Sequence, residues 1–319
     1  MRFILFLVFI VSCGKQTGSQ LTDLIDYYNA PSRLTPNTTS RLVDLPVTGI
    51  SKFPVWIGSW LPYSQGGTSN TMIKYDQAMH GGSYPAWQWE QAQMAQLSSI
   101  SWAGHCNGLA AASTMTQEPR HPVTYNGIVF TVDDIKALLV ELWQGAESNM
   151  IGTRCQSPTP DAINGRMADP TCRDTNAGAF HVAVTNWLGI YNLPVIADID
   201  PSEAVWNYPI LGYQIRTQQV LTASDAMFWL DGVKSDVYAY NTLARNWQYV
   251  VMEVRLTSGT KVYEYILELD EIHNVIGGEW FRGSRQDHPD FLWRAVVPHP
   301  ENPNLDPATI QEIARQGVL

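Results

Sequence analysis

Apolar and polar positions alternate in three distinguishable ways along the 319 residues. Gln88 to Gln96 reads as helical and leads through the polar Ser98-Ser99 into Ser101-Trp102-Ala103-Gly104-His105-Cys106-Asn107-Gly108. The small-residue run Leu109-Ala110-Ala111-Ala112-Ser113 follows, which predicts a helix that starts at Cys106 and is tightly buried beyond it. Gly104 and Gly108 leave room for backbones to approach closely. Thr131-Val132-Asp133-Asp134-Ile135 opens another helix with acids in its first turn, where the helix dipole favours them. The stretch 145–178 is punctuated by Pro158, Pro160, Gly165, Pro170 and Gly178 and reads as loop. Phe180 to Leu188 is rich in β-branched and aromatic residues and reads as a strand. Pro194 to Asp200 reads as a second strand, ended by Pro201. Tyr249–Leu256 and Lys261–Leu269 form a strand pair joined by the turn Thr257-Ser258-Gly259-Thr260. Asp306-Pro307 marks the start of a short closing helix. No internal repeat or low-complexity block is present.

The N-terminus carries a different pattern. Met1-Arg2 is followed by an apolar run from Phe3 to Val11, too short to span a bilayer, so it reads as a processing signal. Ile10-Val11-Ser12-Cys13 resembles the lipobox of bacterial lipoproteins, in which the cysteine becomes the lipidated first residue. Gly14 after it carries no aspartate-type retention signal, which implies an exported lipoprotein anchored in the outer membrane. The expected organisation is a signal peptide at 1–12, a flexible tether at 13–47 with a short helix over Leu21–Tyr28, a catalytic domain at 48–300, and a tail with a short helix at 301–319.

Composition changes this picture in two respects. With 45% hydrophobic and 16% charged residues the chain can bury a sizeable core. A net charge of −10 without a basic stripe argues against nucleic acid as a partner. The 12 Trp and 14 Tyr serve either as core packing or as walls of a substrate groove. The four cysteines divide by setting: Cys13 takes lipid, while Cys155 and Cys172 flank the loop and are free to pair in an oxidising compartment. That disulfide would stabilise by about 3 kcal/mol in the chain-entropy view. Cys106 is left over.

A cysteine at a helix N-terminus sits where partial positive charge favours thiolate, so Cys106 is the candidate nucleophile. A nucleophile needs a base, and the base an orienting group. His181 is the candidate base. Asp198 and Asp200, two apart on one strand, are the candidate acids, with Asp200 preferred and Asn207 a third choice. Each also has a plain structural reading: a core histidine, an inert buried cysteine, a turn aspartate before proline. No phosphate loop, dinucleotide fingerprint, His-Glu-x-x-His or EF-hand pattern occurs, so neither metal nor cofactor is expected.

Trp102-Ala103-Gly104-His105-Cys106-Asn107-Gly108 with Ala111-Ala112-Ser113 resembles the active-site segment of the transglutaminase elicitor family, the oomycete type that also occurs in bacteria. Phe180 to Asn186 resembles its histidine segment, and Glu203 to Pro209 the motif after it. Ile266 to Asp270, Gly277-Gly278-Glu279-Trp280 and His288 to Trp293 resemble its C-terminal signature. The resemblance spans about 50–295. It implies an α+β, papain-like cysteine fold, with the catalytic cysteine at a buried helix N-terminus packed on an antiparallel sheet. It further implies protein-glutamine γ-glutamyltransferase activity through a Cys106–His181–Asp triad: a thioester forms from glutamine and passes to a primary amine such as lysine. Asp-Ile-Asp-Pro-Ser at 198–202 is similar to the Asp-Pro turn of other transglutaminases, which favours Asp200. Trp102, Trp187, Trp206 and Trp280 are candidate walls, and Asn207 a candidate oxyanion donor beside the Cys106 backbone N–H. A cysteine protease, an amidase, a glutamine deamidase and a non-catalytic surface-binding lipoprotein are the alternatives. Ile100 stands where papain-like proteases place a glutamine, which weakens the protease reading.

Overall fold

The structure is a computed structural model that describes residues 29–31, 34, 37–52, 54–153, 174–199 and 204–319. Cys13, the helix expected over 21–28, Cys155, Cys172 and Asp200 lie outside the described residues. In chain order the elements are β1 (Thr48–Ile50), α1 (Ser69–Met79), α2 (Pro85–Leu97), α3 (Cys106–Met115), β2 (Val123–Tyr125), β3 (Ile128–Phe130), α4 (Val132–Trp143), β4 (Glu147–Gly152), α5 (Ala177–Val184), β5 (Val195–Asp198), β6 (Asn207–Leu221), α6 (Ala223–Asp231), β7 (Asn246–Leu256), β8 (Gly259–Leu269), β9 (Val275–Trp280), β10 (Phe291–Val297) and α7 (Pro307–Val318).

One antiparallel sheet organises the molecule, in the order β4-β10-β5-β6-β7-β8-β9, with β1 added to β6. Because side chains alternate across a strand, its two faces bury different partners. Val195, Ala197, Leu292, Val250, Met252 and Tyr265 belong to one core with the apolar side chains of α5. Ile196, Phe291, Trp293 and Ala295 face the other way, into a core shared with α3, α4 and α7. A third cluster packs α6 against Tyr249 and Ile266 on that second face. The sheet thus separates α5 from α3.

Local chemistry explains where the elements begin. Thr131 accepts from the Asp134 N–H while the Asp134 carboxylate reaches back to Thr131, a reciprocal cap that starts α4. Asp306 accepts from the Thr309 N–H and Pro307 fills the first turn of α7.

Three expectations need correction. Phe180–Leu188 is helical: Asn176 caps α5 by accepting from the Gly178 and Ala179 N–H groups, and the chain runs on through a wider π turn at Thr185–Ile190. All eight residues of α5 are buried, so the apolar run carries no helical period and resembles a buried strand in sequence. A Cβ on Gly178 would stand 2.4 Å from the Gly277 carbonyl oxygen, so α5 lies directly on the backbone of β9. The second correction concerns 145–178, where Glu147–Gly152 is not loop but an edge strand paired to β10. Its polar, mostly exposed residues hid it. The third concerns the tether, because the body begins well before residue 48. Asn29 is buried between the Asp174 carbonyl and the Asn176 N–H. Thr39 and Asn186 exchange two hydrogen bonds, and Leu45 joins the first core.

Candidate active site

Cys106 is the first residue of α3 and only 8% exposed. Close packing against α4 fixes its helix: a Cβ on Gly108 would come within 2.2 Å of the Val140 carbonyl oxygen. The Gly108 N–H, one of the donors that a helix start leaves unpaired, reaches Gln144 Oε1 at 3.0 Å.

The side chains around the sulfur come from the opposite end of the sheet. Trp293 on β10 donates its indole N–H to Asn207 Oδ1 at 2.7 Å. An indole only donates, so this contact decides which end of the amide is oxygen. Asn207 Nδ2 is then turned toward Asn107 Oδ1 at 2.6 Å and Cys106 Sγ at 3.9 Å. The thiol itself points its proton at Asn107 Oδ1 and the Val205 carbonyl, each 3.6 Å away. Burial pushes the Cys106 thiol above the ordinary thiol range. The Asn207 side-chain amide, the Asn207 backbone and the Asn107 backbone pull it back, while the charge of Asp198 adds to the rise. At rest the group is a neutral thiol that needs a base.

Asp198 ends β5, in register with Asn207 and Phe291. It lies two residues beyond Ile196 and so on the α3 face of the sheet. The Asp198 side chain is fully buried, and its Oδ1 accepts the Trp206 N–H at 2.9 Å. Above Cys106 opens a cleft of about 240 Å³, walled by Trp56, Trp60, Trp206 and Tyr208 and closed at one end by Thr257 and Ser258. Trp60 and Trp206 meet edge to face at 5.3 Å.

The structure does not bring His181 to Cys106. His181 belongs to α5, on the opposite face of the sheet, where its Nδ1 shares a hydrogen bond of 2.8 Å with the Tyr265 hydroxyl. Its Nε2 is buried without a hydrogen-bond partner among the described residues. Burial pushes its pKa down to about 3, so the ring is neutral. The expected base thus follows the strand misreading: a strand residue would have shared the sheet with Asp198, whereas a helix residue sits behind it. His105 is turned into a buried cluster with Glu90, 3.2 Å away, and Glu141, 3.7 Å away. Among the described residues no histidine lines the cleft.

Of the expected walls, Trp206 and Asn207 line the cleft and Trp102 does not. Trp280 and Trp187 are corrected to core positions on the α5 face. Trp280 donates to the Thr175 carbonyl at 2.8 Å and stacks on His288, and Trp187 is fully buried in the same core. The sequence reading missed Trp56, Trp60 and Trp293. The first two stand four apart in a Gly/Ser-interrupted stretch, a usable signal; Trp293 was seen only as the last residue of the C-terminal signature, with no place at the cleft.

Residues 86–260 and 253–309 match the transglutaminase elicitor family. The crystal structure of the GP42 transglutaminase from Phytophthora sojae superposes with a TM-score of 0.72 at 22% identity, over 95% of this chain and 99% of that one. No curated protein matches. The structural likeness shows a common mixed fold of helices on an antiparallel sheet. With the family match running over most of its length, and over Cys106, Asp198, Asn207 and Trp293 together, the chain belongs to the transglutaminase elicitor family.

Proposed function

We propose that the protein is a protein-glutamine γ-glutamyltransferase in which Cys106 carries the acyl group. The observation that supports this most directly is the Cys106 thiol at the start of α3, held between Asn107 and Asn207 on the floor of a tryptophan-walled cleft. The expected role of His181 does not fit its place behind the sheet, so the proton passes to an acid: Asp198, buried on the α3 face of the sheet in register with Asn207, takes that part in place of the expected Asp200, which lies outside the described residues. Asp198 accepts the Cys106 proton as sulfur attacks the glutamine side-chain carbonyl. The oxyanion is met by Asn207 Nδ2 and the Cys106 backbone N–H at the positive end of α3. The C–N bond breaks, ammonia leaves with the proton from Asp198, and a thioester remains. A primary amine such as lysine then attacks, its proton goes to Asp198, and Cys106 departs and is reprotonated. Trp60 and Trp206 keep water from the thioester so that the amine competes.

The test is ammonia release from a glutamine peptide, with and without a primary amine, in wild type and Cys106→Ala. Ammonia with covalent amine incorporation, both abolished in the variant, is the expected result. Ammonia without incorporation would make it a deamidase. No ammonia from either would overturn the reading in favour of proteolysis or simple binding.

The proposal extends to setting: an exported lipoprotein with lipid on Cys13, anchored in the outer membrane, and a Cys155–Cys172 disulfide. No helix among the described residues is long and apolar enough to cross a membrane. Full-length protein is expected to partition into detergent, and Cys13→Ala to move it to the aqueous phase.

A further inference from the structure

Immediately behind Cys106, on the side away from the cleft, three ionisable side chains from three helices converge. Glu90 comes from α2, His105 precedes the first residue of α3, and Glu141 comes from α4; each is fully buried. One ligand-capable atom from each lies within 4.8 Å of the others. Thr68 donates its N–H to Glu90 Oε1 at 2.9 Å and its hydroxyl to Glu141 Oε1 at 2.6 Å. The second oxygens, Glu90 Oε2 and Glu141 Oε2, are buried with no hydrogen-bond partner among the described residues, as is His105 Nδ1. Among the described residues neither Lys nor Arg pairs with either carboxylate.

Two fully buried carboxylates with one imidazole are one positive charge short of balance, and leaving carboxylate oxygens unpaired in the interior is costly. A divalent cation with a neutral imidazole balances the set. The spacing fits as well. For metal–ligand bonds of about 2.1 Å, tetrahedral ligand atoms stand roughly 3.4 Å apart. His105 Nε2 is 3.2 Å from Glu90 Oε1 and 3.7 Å from Glu141 Oε1. One imidazole nitrogen with two carboxylates is a donor set for a first-row transition cation; calcium prefers six to eight oxygens.

We infer that Glu90, His105 and Glu141 form a structural site for a divalent transition cation, zinc or manganese, that rivets α2, α3 and α4 together behind the Cys106 thiol. No motif announces it, because the three ligands are spread over 52 positions on separate helices. The inference does not depend on the transferase reading, since metal binding is read without substrate.

The experiment uses the full chain carrying Cys106→Ser, so that the thiolate beside the cluster does not compete, stripped with chelator and titrated separately with Zn²⁺, Mn²⁺ and Ca²⁺. One equivalent of zinc or manganese is expected to bind and to raise the melting temperature, with calcium doing neither. Cobalt, as a spectroscopic stand-in, is expected to give visible bands of nitrogen–oxygen coordination. Glu141→Gln and, separately, Glu90→Gln should each weaken binding at least about 100-fold, comparable with the loss of a metal-site partner. Absence of stoichiometric zinc, manganese or cobalt binding by the folded Cys106→Ser protein would overturn the site and leave protons or water as the occupants. Binding that survives both Glu variants undiminished would place the metal elsewhere and overturn it equally.

Discussion

Trp293 gives Asn207 an orientation that the amide does not have by itself. Its indole N–H takes up Oδ1, so the NH₂ end faces Cys106 and the cleft. Replacing Trp293 by Phe keeps the ring but removes the donor, and the amide becomes free to rotate. Trp293→Phe is expected to lower the rate of acyl transfer by about 10-fold or more, with little change in peptide affinity. Asn207→Ala, which removes the proposed oxyanion donor outright, should cost roughly 100- to 1000-fold in kcat. If both variants altered KM alone, Asn207 would be a binding group and the oxyanion assignment would fail. Cys106 and Trp206 stood out in the sequence because a helix start and an aromatic motif mark them locally, whereas Asp198 came second to Asp200 and Asn207 third, since a strand end alone does not rank neighbouring acids. Trp293 was marked only as part of the C-terminal signature; its place at the site depends on β10 lying beside β5 in the sheet.

Helix α3 owes its place to a missing side chain. With 2.2 Å between a virtual Cβ at Gly108 and the Val140 carbonyl, even one methyl must push α3 away from α4. Gly108→Ala should therefore destabilise by about 1–3 kcal/mol despite the better helix propensity of alanine. Denaturant melts compare the two chains directly; an unchanged or higher midpoint would contradict the tight crossing. The elements that the sequence announces are those with local punctuation: the capped α4 and α7, the glycine-flanked α3, and the hairpin of β7 and β8. Helix α5 was misread because burial on every side erases periodicity, and β4 because its polar Glu-Ser-Asn start at the sheet edge leaves Ile151 as its one buried apolar side chain. Those two misreadings account for the misplaced histidine and for the strand missing next to β10.

The two-sided sheet gives the whole molecule a specific sensitivity to acid. His181, sealed between α5 and β8, titrates at about 3, whereas the unfolded chain takes up that proton near 6.5. Between these values the unfolded chain binds the extra proton, so acid favours unfolding. The contribution of the neutral ring is present in full above pH 6.5 and is lost progressively as the pH falls toward 3, by roughly 5 kcal/mol in all. His181→Gln, which keeps a partner for Tyr265, should melt with a shallower dependence on pH between 7 and 4. Parallel pH profiles for the two chains would show that His181 is not the group being protonated.

The far wall of the cleft is of another kind from the rest. Thr257 and Ser258 are only the two-residue tip that joins two eleven-residue strands, and neither contributes to a core cluster. Trp56, in the same lining, belongs to a core cluster. A lengthened or recoloured tip alters what fits over Cys106 while every helix and strand stays where it is. The same turn is thus the place to change what the cleft admits without disturbing the scaffold.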